Sequence, residues 1–502
     1  MVIKHLCFQK KLNYIFDFFG KPTTLTEIQV RKSKAYILSK NFISLPRICG
    51  YFQSDGSFGV FYKEDGYQIP NARLSQSIFE YEWFYAIKDW MIQEHNITAF
   101  LTPSKKVSIL KNQIYLKRAL IFCFPERYQN QNQKNQNKNT NKIDLIIGYT
   151  VQMSIMTKNC QKFLGLILST EKVALIPLLF DKKRIDFYIV RTSIKLMEKF
   201  LESPHQEEKF KNAAILVDLK KNMTPGKLSR EVLMERLHFG SRNSVDAANR
   251  HVSIIKRKVA LKGCIFLKHL ENQEKVPLPA VSHRAFSEFF VGVTIGDGSL
   301  LVSLLNQFDE KSGLPSRHSK NELRREVHIF RVCPLYEIKD AIYKDNYWLS
   351  LLEKDLGTKR YSYYFKIIFT YFDEGKLNIS EKPSKKPTHA VLQFKKLDVL
   401  KDKLVPFFEE FKLSQLPYQK RFLVFKKALE LYDSIDDNQE ETIQLIRFIY
   451  TTNENRPKTL DEFLVIVNRE FFLQANPAEK QRLLEKDRIE FYKTHPTITP
   501  KK

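Results

Sequence analysis

The feature that most constrains the fold of this chain is an internal repeat. The stretch ICGYFQSDG at 48–56 is echoed by FVGVTIGDG at 290–298, which places Asp55 and Asp297 at equivalent points, 242 residues apart. In both copies an apolar run ends at an aspartate that is followed by glycine and serine. A pattern that returns after so long a gap predicts that the chain folds as two copies of one module.

Segments further along the chain keep the same order and nearly the same offset. YTVQMSI at 149–155 matches HAVLQFKKL at 389–397, and Lys183 falls on Lys420 when the segments that follow are aligned. Independent matches that preserve both order and spacing indicate duplication followed by divergence.

Each copy has the same succession of hydrophobic periodicities. A helix that ends at the Asp-Gly is followed by an alternating strand, SFGVFYK or SLLVSLL, and by a second strand, NARLSQS or EVHIFRV. An amphipathic helix comes next, EYEWFYAIKDWM or NYWLSLLEKDL, before further strands and helices. The links between strands are too short for parallel crossovers, so the predicted fold class is α+β with antiparallel sheets.

Composition shifts divide the chain into five parts. Residues 128–142, YQNQNQKNQNKNTNK, are rich in Asn and Gln and predict a disordered loop inside the first module. The full division is an N-terminal extension at 1–45, a first module at 46–220, a helical linker at 221–284, a second module at 285–475 and a C-terminal tail at 476–502.

The linker contains a second candidate nucleic-acid site at 227–258. A helical pattern, a glycine-containing turn at HFGS and a basic helical pattern follow one another there, which is similar to a helix-turn-helix. The alternative is a helical connector with a solvated basic face, and the sequence leaves both open.

The charge balance indicates a polyanionic partner. The 502 residues include 82 Lys and Arg against 56 Asp and Glu, a net charge of +26, which favours nucleic acid first and an acidic membrane second. A Lys-rich proteome from an AT-rich genome would produce the same excess. Six cysteines without a C-x-x-C pair predict a reducing compartment and no zinc site. No apolar run reaches the ~18 residues that a membrane span needs.

Small residues lie on one face of each motif helix. Gly50 and Ser54 are four positions apart, as are Gly292 and Gly296, so each pair shares one helix face. Small side chains allow two backbones to approach closely, and we expect the two helices to pack against each other there.

That packing would bring Asp55 and Asp297 together at two helix C-terminal ends. The helix macrodipole disfavours a carboxylate at this end, and adjacent carboxylates repel unless a cation lies between them. Oxygen ligands suit Mg²⁺, and such a site can activate water against a phosphodiester. A single Asp-Gly is more often a structural turn, but its recurrence in both copies favours a metal site.

The stretches at 48–56 and 290–298 resemble the LAGLIDADG signature of homing endonucleases, in the single-chain form that carries two motifs. The resemblance implies an αββαββα module repeated about a pseudo-two-fold axis, with the motif helices at the interface and two four-stranded sheets forming a DNA-binding saddle. It also implies cleavage of both strands of a long DNA site with divalent metal ions, Mg²⁺ or Mn²⁺, and promotion of intron mobility.

The same resemblance assigns the metal ligands. Asp55 and Asp297 match the metal-binding carboxylates of the family, and the residues after them, Gly56 and Gly298, are predicted to contribute to the same sites.

The resemblance also implies roles for residues outside the motifs. Lys183 and Lys420 match the basic residue that lies near the scissile phosphates in the family. Gln76, at the end of the second strand, resembles a polar residue that positions solvent, and the alignment places Cys333 at the equivalent point of the second copy.

Strand alternation identifies the residues that would face DNA. Phe58 and Val60, like Leu300 and Val302, are expected in the core, so the residues between them face outward. The residues predicted to contact DNA are Lys63, Phe61, Asn71, Arg73, Ser303 and Arg331. The alternative is an ordinary solvated strand face.

Two main functions are compatible with these features. The first is a site-specific, metal-dependent homing endonuclease that acts as a monomer on double-stranded DNA. The second is an RNA-binding intron maturase on the same fold, with or without nuclease activity, and a reading frame without selected activity is a third. The N-terminus lacks a clear signal or transit peptide, so we expect a protein made inside an organelle, a chloroplast in preference to a mitochondrion, with no membrane partner.

Overall fold

The structure of the protein is a computed structural model. The residues that it describes are 27–62, 68–77, 81–103, 109–110, 142–143, 150–202, 205–221, 223, 245–272, 278–306, 308–309, 314–315, 330–341, 363–380, 389–413, 416–432, 438–452 and 458–494. The predicted disordered loop at 128–142, apart from Lys142, lies outside them. So do the predicted helix NYWLSLLEKDL and the first helix and turn of the helix-turn-helix-like segment.

The first copy of the module has the predicted order αββαββα. Its strands are β1 (Gly56–Tyr62), β2 (Gln68–Ser77), β3 (Phe100–Pro103), two short strands β4 (Ile109–Leu110) and β5 (Lys142–Ile143), and β6 (Thr150–Met156). Four of them form an antiparallel sheet in the order β1-β2-β6-β3. The first motif helix, Leu45–Asp55, precedes this sheet. The other helices up to the linker are Glu27–Lys32, Lys34–Lys40, Tyr81–His95, Thr157–Ala174, Asp181–Glu202, Gln206–Lys221 and Val245–Glu271.

The second copy repeats this order. The second motif helix, Ala280–Asp297, leads into β7 (Gly298–Asn306), two short strands β8 (Phe308–Asp309) and β9 (Leu314–Pro315), β10 (Phe330–Ala341), β11 (Lys376–Ser380) and β12 (His389–Phe394). The sheet order is β11-β12-β10-β7, which is the topology of the first sheet with equivalent strands. The described helices after β10 are Tyr363–Phe372, Leu397–Val399, a π-helical turn Leu400–Leu404, Val405–Glu410, Leu416–Glu430, Gln439–Thr452, Leu460–Ala475 and Pro477–Thr494. The predicted α+β class with two antiparallel sheets is confirmed.

The second strand of the second copy differs from its prediction. The segment EVHIFRV was expected to be this strand, but the described strand begins at Phe330 and continues to Ala341. The sequence pattern hid the extension because Pro334 interrupts it, and proline weakens a strand prediction. The consequence concerns the site, because the missed part contains Asp340.

The chain forms two compact units. The first comprises Met1–Asp297, Asp340–Tyr371 and Glu381–His389, and the second comprises Gly298–Lys339, Phe372–Ser380 and Ala390–Lys502. Both motif helices, with Asp55 and Asp297, therefore belong to the first unit. The linker helix, Val245–Glu271, packs against helices of the same unit.

Aromatic packing fixes the first motif helix over its sheet. The ring of Phe52 lies 5.3 Å from that of Phe58 on β1 and 5.2 Å from that of Phe163, and Phe58 meets Phe187 edge-on at 5.7 Å. Fully buried aromatic pairs of this kind add to the stability of the core beyond the area that they bury. The C-terminal end of the motif helix is thereby held in place.

Among the described helices, none is long and apolar enough to cross a membrane.

Candidate active site

The two motif helices are in backbone contact, as the small residues predict. A Cβ atom on Gly50 would lie 1.9 Å from the carbonyl oxygen of Phe289, and one on Gly292 would lie 2.0 Å from the carbonyl oxygen of Arg47. Real side-chain carbons do not approach carbonyl oxygens so closely. Glycine is therefore required at both positions, and the contact is reciprocal.

One turn further on, Ser54 and Gly296 complete the same contact. A Cβ on Gly296 would lie 2.3 Å from the Cβ of Ser54. The Ser54 hydroxyl donates to the carbonyl oxygen of Val293 at 3.2 Å, across the helix pair. All four predicted interface residues thus lie where the two helices meet.

A buried ion pair joins the first turn of the first motif helix to the middle of the second. Arg47 Nε lies 2.6 Å from Glu288 Oε2, and the Arg47 side chain is 1% exposed. Burial is the largest influence on Arg47 and lowers its pKa, and the charge of Glu288 opposes that shift. A charge pair in this environment fixes one arrangement because breaking it leaves an uncompensated charge. Sequence reasoning missed this pair, since no repeat or spacing connects Arg47 to Glu288.

The first motif helix passes directly into β1 without a left-handed turn. Gly56 has φ −79° and ψ 161°, in the extended region. Its lack of a side chain is required by space instead, because a Cβ would lie 2.5 Å from the Cα of Phe52. This Asp-Gly therefore does not form a left-handed helix end.

Asp55 and Asp297 are brought into one acidic site. Burial raises the pKa of Asp55 to about 6, although Lys183 and Gln76 act to lower it. The pKa of Asp297 is raised to about 7, chiefly by burial and then by the charges of Asp55 and Asp340, although Lys183 acts to lower it. The two carboxylates are thus close enough to repel each other, as the packing of the helices predicts.

Lys183 lies beside these carboxylates. It is on the helix Asp181–Glu202, which packs against β1, and its ammonium group donates to the carbonyl oxygen of Gly56. Burial lowers the pKa of Lys183, and the charges of Asp340, Asp186, Asp297 and Asp55 oppose that effect. The predicted grouping of a lysine with both motif aspartates is present.

Gln76 also reaches the site. Its amide Nε2 donates to Asp55 Oδ2 at 3.2 Å. The hydrogen bond orients the carboxylate and favours its ionised form.

The counterpart of Gln76 in the second copy is Asp340, and its placement at Cys333 is wrong. Gly56 pairs with Leu74 on β2, and Gly298 pairs with Ile338 on β10. Gln76 and Asp340 are each two residues beyond those partners, whereas Cys333 pairs with Ser303 in mid-strand. The two halves therefore differ in charge at this position.

A buried tyrosine, Tyr364, lies close enough to Asp297 and Asp340 for their charges to act on it. Tyr364, on the helix Tyr363–Phe372, has no exposed surface. Burial raises its pKa well above the ordinary value, and the charges of Asp340, Asp297 and Asp181 act in the same direction. No sequence signal indicated Tyr364, because an aromatic residue in the run YYFKIIFTYF is more often simply core.

The residues present fit a hard divalent cation. Within the described ranges no cluster of three or more His, Cys, Asp or Glu side chains has metal-binding geometry. Asp55 and Asp297 are nevertheless two half-buried carboxylates, and the charge of Asp55 helps to raise the pKa of Asp297. A divalent cation bound by these oxygens would relieve that repulsion. Asp55 and Asp297 would hold it. Of the two predicted backbone ligands, Gly56 accepts a hydrogen bond from Lys183 with its carbonyl oxygen. The other, Gly298, belongs to the second unit.

Lys420 differs from Lys183 in its surroundings. It is exposed on the helix Leu416–Glu430, which packs against β7 in the second unit. In the first copy, Lys183 donates a hydrogen bond to the carbonyl oxygen of Gly56. In the part of the second unit that the structure describes, no equivalent hydrogen bond joins Lys420 to Gly298.

The alternation of sides along the strands of the first sheet is as predicted, but one residue that was predicted to face DNA is buried. Phe58 and Val60 are buried, Phe61 is 37% exposed, and the Arg73 guanidinium lies 3.7 Å from the centroid of the Phe61 ring. Asn71 was expected to face DNA, but it is 2% exposed. Its amide donates to the carbonyl oxygens of Gly59 at 3.0 Å and Ile69 at 3.2 Å, so the exposure expected of it is wrong.

The other three residues that were predicted to contact DNA differ in their exposure or in whether the structure describes them. On the second sheet Leu300 and Val302 are buried, Ser303 is half-buried, and Arg331 is exposed opposite Leu305. Lys63 lies outside the described residues.

Known proteins were compared with the chain by sequence and by structure. No protein-family model and no curated protein sequence matches it. Solved structures do match: I-GzeII in complex with its DNA target is 14% identical with a TM-score of 0.46, over 82% of this chain and 99% of that one. I-LtrWI bound to target DNA is 15% identical with a TM-score of 0.47, over 84% and 99%. I-SmaMI bound to cleaved DNA is 13% identical with a TM-score of 0.46, over 82% and 98%.

These structures are LAGLIDADG homing endonucleases. The family that the two motifs resemble is thus also the family of the similar solved structures. I-SmaMI has in addition been solved on an uncleaved DNA target in the presence of calcium ions. At these identities the match assigns no role to any side chain of this protein.

Proposed function

We propose that this protein is a site-specific endonuclease that hydrolyses both strands of a DNA target with the help of divalent metal ions and thereby promotes intron mobility. One observation carries the proposal: Asp55 and Asp297 meet at the ends of two helices in backbone contact, with Lys183 beside them. Such a site holds high negative charge in a partly buried position, which is the condition that a metal-assisted hydrolase needs.

The residues around the site have separate tasks. Asp55 and Asp297 hold Mg²⁺ or Mn²⁺, and a bound ion supplies Lewis acidity and a water of lowered pKa. Lys183 provides positive charge where the phosphate gains negative charge during hydrolysis. Gln76 fixes the Asp55 carboxylate through its hydrogen bond of 3.2 Å.

The two copies supply two non-identical halves of one reaction site. Asp340 adds a carboxylate on the side of Asp297, where the other side has the neutral Gln76. We therefore propose that the two DNA strands are cut at different rates. The target DNA is the joined exon sequence that lacks the intron, in an organelle and preferably a chloroplast.

The test is cleavage of that intronless DNA by purified protein with Mg²⁺. Asp55→Asn should abolish cleavage and largely preserve DNA binding, because it removes charge and little shape. Asp398→Asn is the control, since Asp398 is exposed and lies in the second unit. If the wild type leaves the DNA intact but accelerates splicing of its host intron, the enzyme proposal fails and the maturase function takes its place.

A further inference from the structure

Arg73 lies in the middle of the outer face of the first sheet. It is on β2, where it pairs with Ser57 of β1 on one side and with Ser154 of β6 on the other. Its neighbours along the strand, Ala72 and Leu74, are buried in the core, so the Arg73 side chain leaves the sheet on the opposite face. That is the face predicted to contact DNA.

An aromatic ring holds the Arg73 guanidinium, and no carboxylate does. The guanidinium carbon lies 3.7 Å from the centroid of the Phe61 ring on β1. Among the residues that the structure describes, none forms a hydrogen bond or an ion pair with this group, although its Nε atom is buried. Stacking on a ring fixes the plane of the guanidinium and leaves its terminal N–H groups for an acceptor. The group is therefore oriented in advance for an acceptor outside the protein.

Arg73 is the single charged side chain on the described part of this face. The positions that adjoin it in the register of the sheet carry hydroxyl, amide or aromatic groups: Ser57, Ser75, Gln152, Ser154 and Phe61. A surface that binds mainly phosphates needs several cations. One oriented cation among uncharged polar groups is suited instead to the edge of a base.

The equivalent position of the second sheet carries the opposite charge. Arg73 pairs with Ser57, the second residue of β1, and Glu337 pairs with Ser299, the second residue of β7. The motif glycines that begin β1 and β7 fix this correspondence, because each is followed directly by its serine. The two copies therefore place an arginine and a glutamate at the same point of their outer faces.

The neighbours of Glu337 hold its carboxylate in place. Lys339 Nζ lies 2.6 Å from Glu337 Oε1, and Gln393 Nε2 donates a hydrogen bond to Glu337 Oε2 at 2.9 Å. The Glu337 residue is only 5% exposed. Where the first sheet presents a positively charged group with two N–H donors, the second sheet therefore presents an ion pair without net charge.

We propose that Arg73 selects a guanine in one half of the DNA target, and that the position read by Glu337 in the other half does not select guanine. Guanine shows two acceptors, N7 and O6, in the major groove, and arginine binds both with parallel N–H bonds. A carboxylate offers acceptors to acceptors there, which is repulsive and therefore selects against guanine. The inference rests on the proposed function for the DNA target and goes beyond it by assigning a base to a residue.

The charge reversal has a consequence for the target sequence. In a palindromic target, both sheets would meet the same base at equivalent positions. Arg73 and Glu337 cannot both be matched by one base, since guanine suits the first and is rejected by the second. The target is therefore not palindromic at this pair of positions.

The experiment measures how tightly the full-length protein binds a library in which each base pair of the intronless target is replaced in turn. Binding is measured with Ca²⁺ and cleavage of the unchanged target with Mg²⁺. Arg73→Gln removes the charge and the two-pronged group, whereas Arg73→Lys keeps the charge alone. The control is Arg191→Gln, at a half-buried arginine on the helix Asp181–Glu202. That helix covers the other face of the sheet, where Phe187 meets Phe58.

For the wild type and the control, replacing one guanine in one half of the target should weaken binding by ~10-fold or more. The equivalent base pair of the other half should show no preference for guanine. Arg73→Gln should bind the unchanged target ~10-fold or more weakly and lose the preference at that single base pair, with the preferences elsewhere retained. Arg73→Lys should lose most of the same preference. Circular dichroism and melting verify that both variants are folded.

Three results would overturn the inference while the wild type still cuts its target. The first is an Arg73→Gln variant that binds the whole library as the control does. The second is a uniform loss across the library with a salt dependence lower by about one unit, which would identify a phosphate contact. The third is a wild type that selects guanine equally at both equivalent positions. A wild type that neither binds nor cuts the intronless DNA would refute the endonuclease function itself, which separates the two failures.

Discussion

Replacing Asp297 with asparagine should stabilise the metal-free protein at neutral pH. The folded state raises the pKa of Asp297 from 3.8 to about 7, chiefly through burial and then through the charges of Asp55 and Asp340. A raised carboxyl pKa means that folding favours the protonated form, so ionisation destabilises the fold as the pH rises. The loss of stability caused by the ionised Asp297 carboxylate is absent below pH ~4 and complete above pH ~7.

The magnitude follows from the size of the shift. A difference of about three pKa units corresponds to ~4 kcal/mol, at ~1.4 kcal/mol per unit. Part of this free energy belongs to the coupled pair of carboxylates and remains with Asp55 after the substitution. Asp297 is also only half-buried. We therefore expect Asp297→Asn to raise the free energy of unfolding by about 2–4 kcal/mol. At pH 5 less than half of this gain should remain.

The assay is urea unfolding in EDTA at pH 8 and at pH 5, repeated with Mg²⁺. Wild type should gain stability from Mg²⁺ at pH 8 because the ion binds only the folded state, while Asp297→Asn should gain less. Asp398→Asn, at an exposed site, is the control for the loss of one carboxylate. A variant that is less stable than wild type in EDTA at pH 8, or a gain of equal size at both pH values, would refute the reasoning.

Three further predictions concern other parts of the site. Gly292→Ala should lower the free energy of unfolding by ~3 kcal/mol or more, because its Cβ would lie 2.0 Å from a carbonyl oxygen, whereas Gly165→Ala, in a helix with nothing within 4 Å, should raise it by up to ~1 kcal/mol in the same denaturation assay. Lys183→Ala should lower the rate of single-turnover cleavage by ~100-fold or more, and Lys420→Ala by less than ~10-fold with DNA binding retained; equal losses would contradict the difference in their surroundings. Asp340→Asn should slow the cutting of one strand more than the other, so that nicked plasmid accumulates, and a uniform loss on both strands would count against two unequal halves.

The sequence was sufficient to predict the helix pair and its aspartates because both depend on local rules. Two small residues four positions apart define a helix face, and the helix end fixes where the aspartate goes. Arg47 and Glu288 are joined by tertiary packing, which no periodicity reports. Asp340 was missed because a proline in mid-strand concealed the length of β10.

Asn71 shows a different limit of sequence reasoning. Alternation correctly predicts the side of the sheet, since Asn71 pairs with Gly59 in the register of β1 and β2. It does not predict whether the side chain reaches solvent. Because Gly59 has no side chain, the asparagine amide lies across the strand and bonds to backbone carbonyls.

The reciprocal contact of Gly50 and Gly292 has a genetic consequence. At each glycine the obstacle to a larger residue is a peptide carbonyl of the other helix, from Phe289 or from Arg47. Every amino acid has that carbonyl, so no substitution at position 289 or 47 can make room for a side chain. The two copies can diverge almost everywhere else, but a mutation at either glycine should have no second-site suppressor in the facing residue.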